Sequence, residues 1–176
     1  SLFRLNMSHI EIGNLTNIIK FIKKNSNIPI CIDTEGAQIR TKVKRIIHYK
    51  VNQNFKVRYK GGNFNLYPNE VFKKIRKNDE LHIGFDDLKA KVLSKKKNYI
   101  FLKTISSGLL ENNKGIHLKN RSINLNYLTN KDIKAITIAK KLKIKYFALS
   151  FTNTPNDMKK FNYLLKKEKK IYKIET

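Results

Sequence analysis

Residues Ile28-Pro29-Ile30-Cys31-Ile32-Asp33-Thr34-Glu35-Gly36 decide the architecture. A continuous apolar run suits a parallel strand buried on both faces. Asp33 and Thr34 close that run with polar groups, and Gly36 permits a tight exit from it. Upstream, Asn14 to Lys24 reads as an amphipathic helix. Leu15, Ile18, Ile19 and Ile22 fall at i, i+3, i+4 and i+7, and Asn14 is placed as an N-cap. Before that helix, Leu2-Phe3-Arg4-Leu5 is a second strand-like run. Strand, helix, strand is the alternation of an α/β fold.

Further along, the pattern changes. From about Lys42 to Asn112 short alternating segments appear, among them Lys56-Val57-Arg58-Tyr59, Leu81-His82-Ile83, Ala90-Lys91-Val92-Leu93 and Tyr99-Ile100-Phe101-Leu102. Turn residues such as Gly61-Gly62 and Asn78-Asp79 separate them, with at most a helical turn around Val71 to Ile75. This is the pattern of a small all-β insertion. The α/β pattern then resumes. Thr129 and Asp132 form a variant capping box for a helix to about Leu142, with Ile133 and Ile136 inward. Tyr146 to Phe151 is the next strand. Thr154-Pro155-Asn156-Asp157 opens another helix that buries Met158, Phe161, Leu164 and Leu165, and Ile171 to Ile174 is a last strand.

The composition sets bounds on class. The 176 residues are 40% hydrophobic, enough for one sizeable domain or two small ones. Lys and Arg number 38 against 13 acidic residues, a net charge of +25. That excess suits an anionic partner (nucleic acid, membrane surface or phosphorylated metabolite) or is a solvated lysine-rich surface. Cys31 is the only cysteine, so no internal disulfide forms, and its apolar neighbours make it a small core residue. No stretch approaches the roughly 20 apolar residues of a membrane span. The expectation is a cytoplasmic protein, with no membrane and no nucleic acid among its partners.

Three clusters could carry chemistry. In a strand, Arg4, Asn6 and Ser8 share one face. A phosphate suits Arg4, and a weakly hydrated monovalent cation suits the Asn6 and Ser8 oxygens; a solvent-facing edge strand is the plain alternative. Asp33 could hold a cation beside Thr34, with Arg40 forking onto a phosphate, or the pair could simply cap the turn that follows. Lys173 and Glu175 share one face of the final strand. A carboxylate there suits Mg²⁺, and a neighbouring lysine can neutralise charge on a transferring phosphoryl group; an exposed pair in a lysine-rich tail is the alternative. His48, His82 and His117 show neither ligand spacing nor an acidic partner.

Taken in order, these segments resemble the pyruvate kinase family. Arg4-Leu5-Asn6-Met7-Ser8-His9 resembles R-x-N-F-S-H, and Asp33 to Thr41 resembles D-T-K-G-P-E-I-R-T. Lys114-Gly115-Ile116-His117-Leu118 is similar to K-G-V-N-L-P, Thr129 to Asp132 to S-E-K-D, Ser150-Phe151 to A-S-F, and Lys173-Ile174-Glu175 to S-K-I-E. The resemblance implies a partial (β/α)₈ TIM-type barrel interrupted by a small all-β lid. The expected segments are 1–41 and 114–176 for the barrel part and 42–113 for the lid. It implies phosphoryl transfer between phosphoenolpyruvate and ADP, with Mg²⁺ and K⁺, in a homo-oligomer, commonly a tetramer.

Residue by residue, the resemblance puts Arg4 and Arg40 on phosphates and Asn6, Ser8, Asp33 and Thr34 around K⁺. It puts His9 and Lys114 near the nucleotide, Lys173 on the transferring phosphoryl group and Glu175 on Mg²⁺. Some positions depart from the family pattern. Glu35 replaces a lysine, Ala37 a proline and Gln38 a glutamate tied to K⁺ dependence, while Asn153 stands where an arginine is usual. The family's G-D-L-G segment, with a second Mg²⁺-binding aspartate, would follow Glu175. A (β/α)₈ barrel needs roughly 250 residues, and without the insertion this chain has about half of that. The expectation is part of a longer polypeptide, or a degenerate copy acting as a phosphate- or nucleotide-binding or regulatory module.

Overall fold

A computed structural model describes residues 1–84 and 87–165, together with the backbone of 169–172. In chain order the elements are β1 (Phe3–Asn6), α1 (Leu15–Asn25), β2 (Ile30–Asp33), β3 (Ile39–Val43), β4 (Ile47–Tyr49), β5 (Asn54–Arg58) and β6 (Phe64–Tyr67). Then follow α2 (Val71–Lys74), β7 (Glu80–Ile83), β8 (Leu88–Lys95), β9 (Tyr99–Thr104), β10 (Gly108–Leu110) and β11 (Gly115–Leu118). The last are α3 (Asn130–Lys141), β12 (Tyr146–Leu149), α4 (Pro155–Leu164) and β13 (Lys169–Tyr172). They divide into two compact units, residues 1–37 with 124–176, and residues 38–123.

The first unit is α/β. Its four strands run β1-β2-β12-β13, all parallel. The register sets Asn6 and Ala148 beside Asp33 on either side. The carboxyl ends of the strands therefore align, which is where parallel α/β sheets gather functional groups. All four residues of β2 are buried, as a strand covered on both faces requires. Leu15 and Ile19 of α1, Ala135, Ile136 and Ala139 of α3, and Phe161 of α4 close the core with Ile32, Phe147 and Leu149.

The helix starts are mixed. Thr129 and Thr154 both form full capping boxes, with Asp132 and Asp157 returning the bond, and Pro155 sits in the first turn of α4. Such caps are worth about 1 kcal/mol each. Asn14 does not cap α1: it has helical backbone angles, and its side chain makes no capping bond. In α3 the inward set is Asp132, Ala135, Ile136 and Ala139, a 3.6-residue stripe starting at the capping aspartate. That phase turns Ile133 outward, at 48% exposed, against the sequence expectation. Leu164 is likewise turned out, whereas Phe161 and Leu165 are buried.

The second unit is antiparallel β. Seven strands run β5-β9-β8-β7-β11-β3-β6, and β10 pairs with β4 in a separate ribbon. The end strands β5 and β6 also approach each other, so the sheet nearly closes on itself. Its interior holds Phe55, Val57, Phe64, Leu81, Ile83, Val92 and Leu102. Phe55 thus faces inward, and the alternate residues of β5 face outward. No helix of the described residues is long and apolar enough to cross a membrane.

Candidate functional site

The first cluster lies at the carboxyl ends of β1, β2 and β12. Asp33 is the last residue of β2 and is 1% exposed. A buried carboxylate needs partners for both oxygens. Arg4 supplies them at Oδ2, through Nε at 2.6 Å and Nη2 at 2.5 Å. Ser150 donates from Oγ to Oδ1 at 2.7 Å. The Arg4 side chain is 44% exposed, so its guanidinium spans the buried carboxylate and the solvent edge. Removing it would leave Asp33 with one neutral donor. The penalty for a fully buried pair is about 3–5 kcal/mol, less here because Arg4 is solvated.

Ser150 does more than satisfy Asp33. Its backbone N–H also donates to Thr34 Oγ1 at 3.0 Å, and Thr34 N–H donates to Ala148 O at 3.0 Å. One serine therefore fixes the side chains of two expected site residues. Sequence reasoning assigned it no role; its only signal was the Ser-Phe pair within the family resemblance. Beside it, Cys31 has its thiol pushed up to about 11 by burial, with the Asp33 charge adding to this and Arg4 opposing it. At neutral pH it is a protonated core residue and not a nucleophile.

Asn6 ends β1, and Ser8 lies past the strand in the turn, so strand alternation does not align Arg4, Asn6 and Ser8 as expected. A turn does that work instead. Ser8 N–H donates to Asn6 Oδ1 at 2.9 Å and His9 N–H to Asn6 O at 3.1 Å, the local bonding favoured by asparagine. Met7 N–H donates to Asp33 O at 2.9 Å, which ties this turn to the end of β2. His9 is exposed at the rim.

The loop after β2 is clamped from α3. Asp132, fully buried, accepts from Glu35 N–H at 2.8 Å and Gly36 N–H at 3.2 Å, as well as from Thr129 N–H and Oγ1. Burial pushes its carboxyl above the usual range, against the pull of those N–H groups and with the Glu35 charge adding to the rise. Glu35 itself is buried and pairs with Lys131 at 3.5 Å. Gly36 has φ of 67°, and a Cβ there would collide with the Ser150 carbonyl oxygen and meet Phe151 Cβ at 3.2 Å. Phe151 carries φ of 52°, so a strained backbone sits directly beside the cluster.

Arg40 and Lys114 belong to the second unit. Arg40 pairs in register with Gly115 across β3 and β11, and its Nη1 donates to Asn113 O at 3.4 Å. Lys114 Nζ meets Glu111 Oε2 at 3.0 Å, and its backbone N–H donates to Thr41 Oγ1 at 2.8 Å. The two cations thus sit on neighbouring strands. Gly115 leaves room for the Gln38 carboxamide, whose Nε2 would lie 2.9 Å from a Cβ. Lys173 and Glu175 lie outside the described residues.

The histidine expectation is corrected. His82 Nε2 lies 2.9 Å from Glu80 Oε1, and its ring stacks obliquely on His117, centroids 4.9 Å apart. His82 and His117 are register partners across β7 and β11, a pairing no sequence spacing displays. Among the described residues, no group of three or more His, Cys, Asp or Glu could hold a metal ion.

A family model described as the barrel domain of pyruvate kinase matches residues 1–176. A pyruvate kinase from Buchnera aphidicola subsp. Schizaphis graminum is 32% identical over 188 residues, covering 95% of this chain and 38% of that protein. One from Agrobacterium vitis is 26% identical, covering 89% and 36%. One from Staphylococcus epidermidis is 28% identical, covering 94% and 31%. The chain spans about a third of the length of these curated relatives.

Proposed function

The chain belongs to the pyruvate kinase family, and from that premise we propose that it forms the phosphate- and monovalent-ion-binding part of an enzyme that moves a phosphoryl group from phosphoenolpyruvate to ADP. The observation that carries the reading is the meeting of Arg4, Asn6, Asp33, Thr34 and Ser150 at one carboxyl-terminal sheet edge. In this reading the parallel sheet is part of a (β/α)₈ barrel and the antiparallel unit is its lid.

Each residue then has a task. Arg4, half exposed and anchored on Asp33, offers a fixed guanidinium to a substrate phosphate. Arg40 and Lys114 offer two more cations, for the phosphates of the nucleotide, and His9 stands at the rim on the same side of β1. The oxygens of Asn6, Ser8, Asp33 and Thr34 are a hard, low-charge donor set that fits a monovalent cation such as K⁺. That cation would neutralise negative charge where substrate phosphates gather. The described residues alone do not fit Mg²⁺, since Glu175 lies outside them, and no step is derived through it. Lys173 is assigned to the transferring phosphoryl group by family resemblance. A cytoplasmic, glycolytic setting and a homo-oligomer belong to the same proposal.

A second reading is favoured by one observation: the chain spans only about a third of its relatives. Alone it would bind phosphates without turnover. A coupled phosphoenolpyruvate/ADP assay with Mg²⁺ and K⁺ separates the two. Turnover that falls at least about 100-fold in Lys173→Met supports the enzyme. Turnover unchanged by that substitution excludes the assigned chemistry.

A further inference from the structure

The second unit carries a charge asymmetry that the phosphotransfer reading does not use. Residues 36–69 contain eight Lys and Arg and no acid, and residues 88–110 contain six Lys and no acid. These runs supply β5, β8 and β9, which are adjacent in the sheet in the order β5-β9-β8. Their inward positions are apolar, so the cations concentrate on the outward face. Lys56, Arg58, Lys91 and Lys103 are all exposed there, with Tyr99 and Phe101 half-buried among them.

The register makes this face costly on its own. Lys91 and Lys103 are direct cross-strand partners. Like charges in that position destabilise a sheet. Lys56 pairs with Phe101 and Arg58 with Tyr99, so cations and aromatic rings alternate across the strands. Lys56 Nζ stands 4.9 Å from the Tyr99 ring centre. The basic face ends at Glu80, the partner of Lys91 on its other side, which is already engaged by His82 and Lys119. Beyond Tyr99, the turn between β8 and β9 adds Lys96 and Lys97, both exposed.

We infer that this outward face of β5, β9 and β8 binds single-stranded nucleic acid. A single strand offers regularly spaced phosphates for rows of lysines and unstacked bases for Phe101 and Tyr99, whereas a lipid surface would use the charge but not the flat rings. The opposed Lys91 and Lys103 would then share a phosphate between them. This revises the reading from composition, in which the same lysines form a solvated surface. It is independent of the phosphotransfer reading, since none of these residues belongs to that site.

The test is fluorescence anisotropy of a labelled 20-nucleotide single strand with the 176-residue chain across a salt series. The wild type should bind, with affinity falling steeply as salt rises. Lys91→Gln/Lys103→Gln should reduce the magnitude of the logarithmic salt slope by about 1.4, at roughly 0.7 per lost phosphate contact. Phe101→Ala should weaken binding at least about fivefold at an unchanged slope. A control, Lys20→Gln/Lys24→Gln on α1, removes the same charge elsewhere and should leave binding within twofold. Thermal melts confirm that each variant is folded. Equal weakening by the two lysine pairs would mean diffuse attraction and overturn the proposal. So would binding to vesicles rich in anionic lipid without binding to the oligonucleotide.

Discussion

At the scale of single residues, the site depends on a few groups that leave no alternative. Gly36 is one. Its left-handed backbone and the Ser150 carbonyl behind it exclude any side chain. Gly36→Ala should destabilise the first unit by at least about 2 kcal/mol, combining positive-φ strain with backbone displacement. For a chain of this size that lowers the melting temperature by roughly 4–8 °C, readable by calorimetry. An unchanged melt would show that the loop relaxes freely. The resemblance pointed to Asp33, Thr34 and Arg4, and the structure brings them together. It could not disclose Ser150 as their common anchor, because that role arises from contacts 116 and 117 residues apart in sequence. The Asp132 clamp was legible only in part. The capping box shows in the local sequence, but the bonds to Glu35 and Gly36 span nearly a hundred positions.

At the scale of elements, local pattern predicted what local physics determines. The stripe of Leu15 and Ile19, the buried run ending at Asp33 and the two threonine caps all rest on periodicity or capping chemistry. Ile133 was misread because two alanines, not two isoleucines, set the inward stripe of α3. The three-residue strands β4 and β10 left no signal, since so short a strand shows no period. The turn before β7 yields a pH prediction. Asp79 is pushed up by burial, but two bonds from Arg121 and one from the Arg76 N–H outweigh this and hold it below the usual range. Glu80 is also lowered, chiefly by its hydrogen bond with His82. Carboxyls lowered in the folded state stabilise it above their ordinary range, and that stability is lost as pH falls through the folded value. The antiparallel unit should therefore melt at progressively lower temperature below about pH 4. Asp79→Asn should be less stable at neutral pH and show a flatter acid limb. An acid limb as steep as the wild type would remove Asp79 from the account.

At the scale of the whole molecule, the two units hold different parts of one expected chemistry. The parallel sheet gathers Arg4, Asn6, Asp33 and Thr34 at one edge, and the antiparallel unit carries Arg40 and Lys114. The α/β alternation and the β insertion were visible as a change of period in the sequence. The near-closure of the seven-stranded sheet was not, because it depends on which distant strands pair. The central claim is that the β1–β2–β12 edge binds a substrate phosphate through Arg4 with help from a monovalent cation. Isothermal titration of the 176-residue chain with phosphoenolpyruvate tests it most directly, in KCl and in tetramethylammonium chloride of equal ionic strength. The account predicts saturable binding in KCl, at least tenfold weaker binding without K⁺, and loss of binding in Arg4→Met. Binding of equal strength in wild type and Arg4→Met, or no binding by the wild type in KCl, would contradict it.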